Sequence, residues 1–476
     1  MRGMNIVKKV IIFGAADLGL DALYKLRNYC EVLCFVDNNS KIQGKDVLGI
    51  PIISVEQMME LYTDEMYIIV CSYRSLEIGV QLMSLGVKGY YVMTDGFLYY
   101  SSAEESMIPV EICSQPYYRK DKDEKNILFV QNRACIRTHK LASVMHANGY
   151  KVFLIYTYLP PETSNAEFME AYDGIYTFFS QRTLVDFVEN SDFDIVHSSN
   201  EPDILTNLLL LTTKHIVFDT HDMMSIRRHE NIYNLTYEYM ANTASDGNLY
   251  TEKSTIDIAK KKYGLEGKEL FAIENTVLDE ENIIKIEKLS SKDGEIHCVY
   301  EGGIVGYEEL HHRYFENMWK KILDCGIHIH YYATSDCEYY QKLVGNKYLH
   351  YEGNLGTKKL ISEMTKYDCG LAMFNVTKLN RIYLSATTSN KIYEYISAGL
   401  PVLVADVPTH IAFVEKYHVG KQLDFDKDIA KQIKDVCQIK IEEKFLTKNK
   451  LTMMSKSKEL IEFYERVKKR KIERRI

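Results

Sequence analysis

The chain has 476 residues, 46% of them hydrophobic, with 58 Lys and Arg against 66 Asp and Glu for a formal net charge of −8. That length predicts two to three domains with full cores, and the acidic balance excludes a general nucleic-acid binder, which carries a basic excess to neutralise phosphates. No run of eighteen apolar residues occurs, and Met1 to Lys9 leads into a strand pattern without a signal-peptide cleavage pattern, so a cytoplasmic protein is expected.

Strand and helix signals alternate from the start. Lys9 to Phe13 reads as a strand, a glycine-containing turn follows, Asp21 to Asn28 is amphipathic, and Glu31 to Val36 is a second strand ending at Asp37. Strand-like runs at 67–71 and 89–93 flank a helical 76–85, so residues 1–100 are expected to form a small Rossmann-like domain around an open parallel sheet. Gly14-Ala15-Ala16-Asp17-Leu18-Gly19 opens its first helix, with Asp37 about twenty residues on. Gly14, Gly19 and Asp37 are candidates for a nucleotide site. Because Ala16 stands where the dinucleotide fingerprint has its middle glycine, a ligand-free or regulatory module is the other open reading.

Residues 101–125 turn polar and charged and read as a linker. A second α/β module spans 126–285, with strands at 126–130, 152–156, 195–197 and 215–219 and helices at 138–148, 231–241 and 254–263. Its run Phe218-Asp219-Thr220-His221-Asp222 sets an imidazole and two carboxylates at the C-terminal end of a strand, where open α/β sheets hold their ligands. His221 or Asp222 would orient an acceptor hydroxyl or take its proton, and Asp219 is the third candidate; a satisfied polar cluster is the alternative. Arg137 and His139, at a helix start after the module's first strand, belong by topology to the same sheet edge.

The third module, 286–445, opens with a strand over 296–300 and the flexible turn Tyr300-Glu301-Gly302-Gly303-Ile304-Val305-Gly306, where backbone can approach phosphate closely. Gly303 is the candidate in that turn, and Arg313 would neutralise a leaving diphosphate. His311-His312 is poor metal-ligand evidence, since adjacent helical residues point in different directions. Gly353, in the loop after another strand, would supply backbone contacts. The most informative stretch is 389–402, Ser-Asn-Lys-Ile-Tyr-Glu-Tyr-Ile-Ser-Ala-Gly-Leu-Pro-Val. Ser389 or Asn390 is placed to cap a helix whose free N–H groups face a diphosphate, Glu394 lies one turn on within reach of a ribose diol, and Gly399 with Pro401 ends the helix before a buried strand. Residues 446–476 form a last helix and a basic tail from Arg466, which complements the helix dipole or touches an anionic membrane surface.

Ten cysteines, among them Cys30, Cys34, Cys71, Cys135, Cys298 and Cys437, are scattered without a Cys-x-x-Cys pair, which predicts reduced core residues and no metal site.

Taken in order, Asp219-Thr-His-Asp, Ile273-Glu-Asn-Thr, Tyr300-Glu-Gly-Gly, Tyr351-Glu-Gly-Asn-Leu-Gly, Tyr367-Asp-Cys-Gly-Leu-Ala and Asn390-Lys-Ile-Tyr-Glu-Tyr-Ile-Ser-Ala-Gly-Leu-Pro-Val resemble the GT-B glycosyltransferases of the family 4 type over 126 to about 465. The resemblance implies an α/β fold of two facing Rossmann-like domains, here preceded by the additional small one, with a nucleotide-sugar donor in the C-terminal domain and a last helix returning to the N-terminal one. It assigns Glu394 to ribose and Asn390, Lys391 and Ser389 to the diphosphate turn, with His221 near sugar and acceptor. Ala386 stands where the family has an earlier glutamate, and the usual Arg and Lys pair after the glycine turn is missing, with Arg313 as substitute. The first hundred residues, through Ile12-Phe-Gly14, Phe35-Val-Asp-Asn38, Leu48-Gly-Ile-Pro51 and Ile69-Val-Cys-Ser72, resemble the N-terminal domain of sugar O-acyltransferases.

The expectation is a glycosyltransferase moving a sugar from a nucleotide-diphosphate sugar to a saccharide or lipid-linked acceptor in bacterial polysaccharide biosynthesis. By resemblance it retains anomeric configuration. Neither metal nor cofactor is required, and a peripheral membrane contact is open. A noncatalytic nucleotide-sugar sensor on the same fold, supported by Ala386, is the alternative.

Overall fold

The computed structural model describes residues 8–101, 114–159, 166–200, 202–227, 235–333, 337–342, 346–387 and 389–471. The expected linker between 102 and 113 and the basic tail beyond 471 lie outside the described residues. The chain divides into two compact units, one comprising Met1–Phe218, Ala244–Asp246 and Arg470–Ile476, the other Asp219–Thr243 and Gly247–Lys469.

The first unit begins with β1 (Lys9–Phe13), β2 (Glu31–Val36), β3 (Asp46–Val47), β4 (Ile50–Ile53), β5 (Tyr67–Val70), β6 (Tyr91–Thr94) and β7 (Phe97–Tyr100), in the order β3-β4-β2-β1-β5-β6-β7. The centre is parallel, as the βαβ pattern predicts, but β3–β4 and β6–β7 are antiparallel. Leu48 with Gly49, and Asp95 with Gly96, take the positive φ angles of the two-residue turns that close these two edges. The central strands Val10, Ile11, Ile12 and Ile68, Ile69, Val70 are buried on both faces, the continuous apolar run expected of a parallel sheet.

The same unit holds β8 (Asn126–Arg133), β9 (Lys151–Leu159), β10 (Gly174–Thr177), β11 (Val196–Ser199) and the first three residues of β12 (Ile216–Thr220), ordered β10-β9-β8-β11-β12. Lys25, on the Asp17–Leu26 helix, joins the two sheets. Its ammonium is 1% exposed and donates to the carbonyls of Gly96 at 2.5 Å, Phe178 at 2.9 Å and Thr157. Burial pulls its pKa down, whereas one carbonyl for each N–H favours the charged form. Asp21 adds an ion pair to Arg133 at 2.7 Å.

The second unit contains the parallel pair β13 (Gly247–Tyr250) and β14 (Glu269–Ala272), against which the C-terminal Ser457–Lys468 helix packs. A β-carbon at Gly247 would meet Val467 and Phe463, so the glycine lets this helix close on the strand. Six further strands form a parallel sheet: β15 (His297–Glu301), β16 (His328–Tyr332), β17 (Leu349–Tyr351), β18 (Cys369–Ala372), β19 (Val402–Val404) and β20 (Gly420–Gln422), in the order β17-β16-β15-β18-β19-β20. Alternate residues feed two cores. Cys298, Tyr300 and Tyr331 pack with Trp319 on one face, and Val299, Ala372 and Val404 pack with Ile392, Tyr395 and Ile396 on the other.

All three sheets reverse strand order beside their first strand in sequence: between β1 and β5, β8 and β11, and β15 and β18. Open α/β sheets bind ligands in the crevice outside such a reversal, at the carboxyl ends of the strands. Gly14 and Gly302 lie in the loops after β1 and β15, and Arg137 lies in the first turn of the helix that follows β8.

Candidate functional site

The richest of these three edges is in the second unit. β15 ends at Glu301, and Gly302 follows with φ +110°, a conformation that suits a residue without a side chain. A β-carbon on Gly302 would stand 3.0 Å from the Lys391 Nζ, and one on Gly303 would run into the Arg313 guanidinium. The glycine turn is therefore the space two cations occupy. The Tyr300 hydroxyl donates to the Gly303 carbonyl at 2.7 Å and holds the turn.

Lys391 sits in the first turn of the Asn390–Ser397 helix, buried, its Nζ 5.5 Å from the Tyr300 ring centroid and 5.7 Å from that of Phe374. Burial lowers its pKa, the carboxylates of Glu301 and Glu394 oppose that, and Arg313 adds to it. Glu394, one turn along the helix, is 6% exposed. A buried lysine, a neighbouring guanidinium and two carboxylates leave the cations poorly neutralised by water, which raises their value to an incoming polyanion. Ser389 is the N-cap residue, as expected, but its hydroxyl makes no capping bond: Oγ is buried without a hydrogen-bond partner among the described residues. The first-turn amides of an eight-residue helix are thus left without side-chain oxygen, the arrangement that binds phosphate. Gly399, φ +77°, ends the helix as expected, donating to the Ile396 carbonyl while Leu400 donates to that of Tyr395.

Arg313 lies in a turn and its main-chain carbonyl accepts from Val305 N–H at 3.0 Å. His311 and His312 precede it in the same turn, not on a helix, and their rings stack 4.4 Å apart. The sequence expectation of divergent side chains fails because no helix forms there. Burial, with the charges of Arg313, Arg227 and Lys391, lowers the pKa of His312 to about 3, so its ring is neutral beside the cations. Gly353, φ +87°, accepts at its carbonyl from Ala333 N–H, 3.1 Å away, and has open space on its β-carbon side.

The Asp219–His221–Asp222 run belongs to this unit too. Asp219 is fully buried near the end of β12, and its Oδ2 lies 3.1 Å from His221 Nε2. Asp222 instead pairs with Arg227 at 2.9 Å. The short Met224–Arg227 helix that follows packs on the Arg381–Ser385 helix, and Arg227 is near enough to His311 and His312 to depress both. The structure therefore brings His221 and Asp222 into the same unit as Lys391, Arg313 and Glu394. Ala386 is 4% exposed, and its carbonyl accepts from the Thr255 hydroxyl at 2.6 Å. The position of the expected earlier glutamate is filled by a contact that joins two helices.

Arg137 and His139 lie in the first unit, in the first turn of the Ile136–Ala147 helix. Arg137 is 3% exposed. His139 has no exposed surface: it stacks on Phe168 at 5.6 Å, its Nδ1 is 2.8 Å from the Tyr172 hydroxyl, and burial lowers its pKa to about 4. It is placed to pack, with no surface to offer an acceptor.

In the first sheet, Gly14 has φ +115° and Gly19 packs so closely that a β-carbon would meet the Gly14 carbonyl. A cavity of about 550 Å³ beside Gly14 is lined by Asp37, Asn38, Ser72, Arg74 and Gln81. Asp37 accepts Ala15 N–H at 3.0 Å and Asn39 N–H at 2.9 Å, so both its oxygens brace the loop. With Asp17 in the helix's first turn, two negative charges oppose a diphosphate there.

Sequence reasoning missed Glu301, Phe374 and Arg227 as neighbours of the cations. Glu301 was adjacent to the glycine turn; Phe374 and Arg227 gave no local signal. No helix among the described residues is long and apolar enough to cross a membrane.

Residues 309–455 match the Glucosyltransferase 3-like C-terminal domain family, and residues 6–93 match the family described as C2185-like, N-terminal. Among solved structures the chain is similar to a glycosyltransferase from Rickettsia africae ESF-5, at 11% identity over 73% of this chain and 100% of that one, with a TM-score of 0.50. It is also similar to Anabaena HepE in complex with UDP and glucose, at 13% identity over 71% and 98% with a TM-score of 0.49, and to sucrose-phosphate synthase from Thermosynechococcus elongatus, at 9% over 72% and 94% with a TM-score of 0.46. No curated protein matches the chain. The likeness to the Rickettsia protein is one of fold: an α/β, Rossmann-like architecture of the GT-B glycosyltransferase type, carried here with a further α/β module at the N-terminus.

Proposed function

We propose that the chain is a glycosyltransferase that moves a sugar from a nucleotide-diphosphate donor to an acceptor hydroxyl. The observation that carries this reading is the pair of cations, Lys391 and Arg313, set against a glycine turn and the open first turn of the Asn390–Ser397 helix, with Glu394 one turn further. Two positive charges and free main-chain amides balance a diphosphate leaving group without a divalent ion at that place. The match of residues 309–455 to the Glucosyltransferase 3-like C-terminal domain supports it independently.

On this reading Glu394 holds the ribose diol, Asn390, Lys391, Ser389, Gly303 and Arg313 receive the diphosphate, and Gly353 lies beside the base. His221, oriented by buried Asp219, faces the acceptor. The finer assignments follow the resemblance: a family 4-type enzyme with retention of configuration, a saccharide or lipid-linked acceptor, bacterial polysaccharide assembly, and a first domain like that of sugar O-acyltransferases. Should the reaction invert, His221 with Asp219 is the base, because an imidazole held by a carboxylate accepts a proton at neutral pH.

A thermal-shift and turnover screen of the full chain against uridine, guanosine, adenosine and thymidine diphosphate sugars tests the reading, since a ligand that binds only the native state raises its melting temperature. The expected result is stabilisation by one base class, release of that nucleoside diphosphate with acceptor, and loss of both in Glu394→Ala. Stabilisation without turnover over a broad acceptor panel favours the noncatalytic sensor that Ala386 motivates; no stabilisation by any donor overturns both.

A further inference from the structure

Four histidines converge at the edge of the third sheet opposite the donor loops. His297 is the first residue of β15, His328 and His330 are the first and third of β16, and His350 lies in β17. The register pairs His297 with His328 and His330 with His350, so strand alternation puts all four rings on one face. The rings stack, with centroids 4.4 Å apart for His297 and His328 and 4.4 Å for His330 and His350. One ring nitrogen from each of His297, His328 and His330 lies within 4.8 Å of the other two. His297 and His330 are buried, while Asp293 and Glu295 beside them are exposed.

Each of the three imidazoles has its own carboxylate. Asp293 Oδ2 is 3.0 Å from His297 Nε2, Glu352 Oε1 is 2.7 Å from His330 Nδ1, and Glu295 contacts His328 Nε2. A carboxylate accepts, so the proton of each ring is fixed on that nitrogen and the other nitrogen presents its lone pair. For His330 the lone pair is on Nε2 and for His297 on Nδ1, and these two atoms are 2.9 Å apart. Two neutral rings held this way aim lone pair at lone pair. Either one ring carries an extra buried proton, or a cation lies between them.

We propose that this cluster is a divalent transition-metal site of the zinc class, with His297, His328 and His330 as ligands and Asp293, Glu295 and Glu352 orienting them from outside. Imidazole nitrogens suit zinc, and a carboxylate on the far nitrogen of each ligand is the arrangement that fixes tautomer and raises basicity in such sites. Tetrahedral zinc at about 2.0–2.1 Å from each nitrogen sets them about 3.3 Å apart, a small opening of the 2.9 Å between His297 Nδ1 and His330 Nε2 and inside the 4.8 Å that bounds all three nitrogens. His350 Nε2, 2.8 Å from His328 Nδ1, or water fills the fourth position. The cysteine spacing gives no hint of this site because its ligands are histidines, drawn from two strands that the sequence separates. His297 and Glu301 stand at opposite ends of β15, four residues or about 13 Å apart, so the ion clamps β15 to β16 away from the sugar chemistry and the proposal is independent of that reading.

Tag-free full-length protein, dialysed against chelator and then titrated with zinc chloride or cobalt chloride, tests it by metal analysis, calorimetry and visible absorption. One equivalent of zinc, the visible bands of four-coordinate cobalt displaced by zinc, and a raised melting temperature are expected. Glu352→Gln, which keeps all three ligands, should weaken affinity about 10- to 100-fold, and the double variant His297→Gln, His330→Gln should abolish binding. Failure of the native chain to bind either metal at micromolar concentration overturns the site even if the double variant does not fold. Binding that Glu352→Gln leaves unchanged overturns the assigned orientation, and with it the proposal.

Discussion

At Gly302, where φ is +110°, a β-carbon would stand 3.0 Å from the Lys391 ammonium. The absence of a side chain at one position thus sets where the charge at another, 89 residues later by number, comes to rest. Gly302→Ala would meet both a strained backbone and a displaced lysine, costing about 1–3 kcal/mol locally. The expected outcome is a donor KM raised about tenfold with the fold retained, checked by donor kinetics beside circular dichroism. Unchanged donor KM would detach the glycine turn from the diphosphate.

Ser389 gives an opposite pattern. An N-cap serine that bonds its helix loses about 1 kcal/mol when changed to alanine, but this hydroxyl bonds nothing among the described residues. Ser389→Ala is expected to change unfolding free energy by less than about 0.5 kcal/mol while weakening donor binding several-fold. Denaturant melts and donor titration separate the two effects; a large stability loss with normal binding would assign the residue to the helix alone.

His221 and Asp219 form the only imidazole–carboxylate pair at the strand end of β12 among the described residues, 3.1 Å apart with the carboxylate fully buried. If the imidazole acts on the acceptor, His221→Ala should lower kcat about 100-fold or more and leave donor KM within about twofold. Asp219→Asn should give a smaller loss of kcat. A variant whose donor KM rises with kcat intact would place His221 on the donor instead.

Much of this organisation is legible in the sequence where the signal is local. The helix from Asn390, its stop at Gly399 and the strand at Val402 follow from a polar turn, a 3.6-residue apolar period and a glycine at positive φ, all within fourteen residues. The antiparallel edges at β3–β4 and β6–β7 escape it because two- and four-residue strands carry too little pattern. The four-histidine face escapes for a different reason: His297, His328 and His350 meet only through strand register, which no single segment encodes. His311 and His312 show the converse. Assigning them to a helix gives diverging rings, while the turn that forms stacks them.

His139 makes a pH prediction with a defined sign. Burial lowers its pKa from 6.5 to about 4, partly offset by a hydrogen bond with the Ala134 backbone, so between those values the unfolded chain binds a proton that the folded one refuses. Stability from this group is complete above pH 6.5 and falls as pH drops towards 4, by about 2 kcal/mol between pH 7 and 5. His139→Phe keeps the stack on Phe168 and removes the titration. It should be less stable than the native chain at pH 7 by about 1 kcal/mol, the value of a lost hydrogen bond. It should then close that gap, or reverse it, at pH 5. Urea unfolding of both proteins at the two pH values measures the difference directly, and parallel losses in the two would mean that the imidazole takes up its proton as readily in the fold as in the unfolded chain.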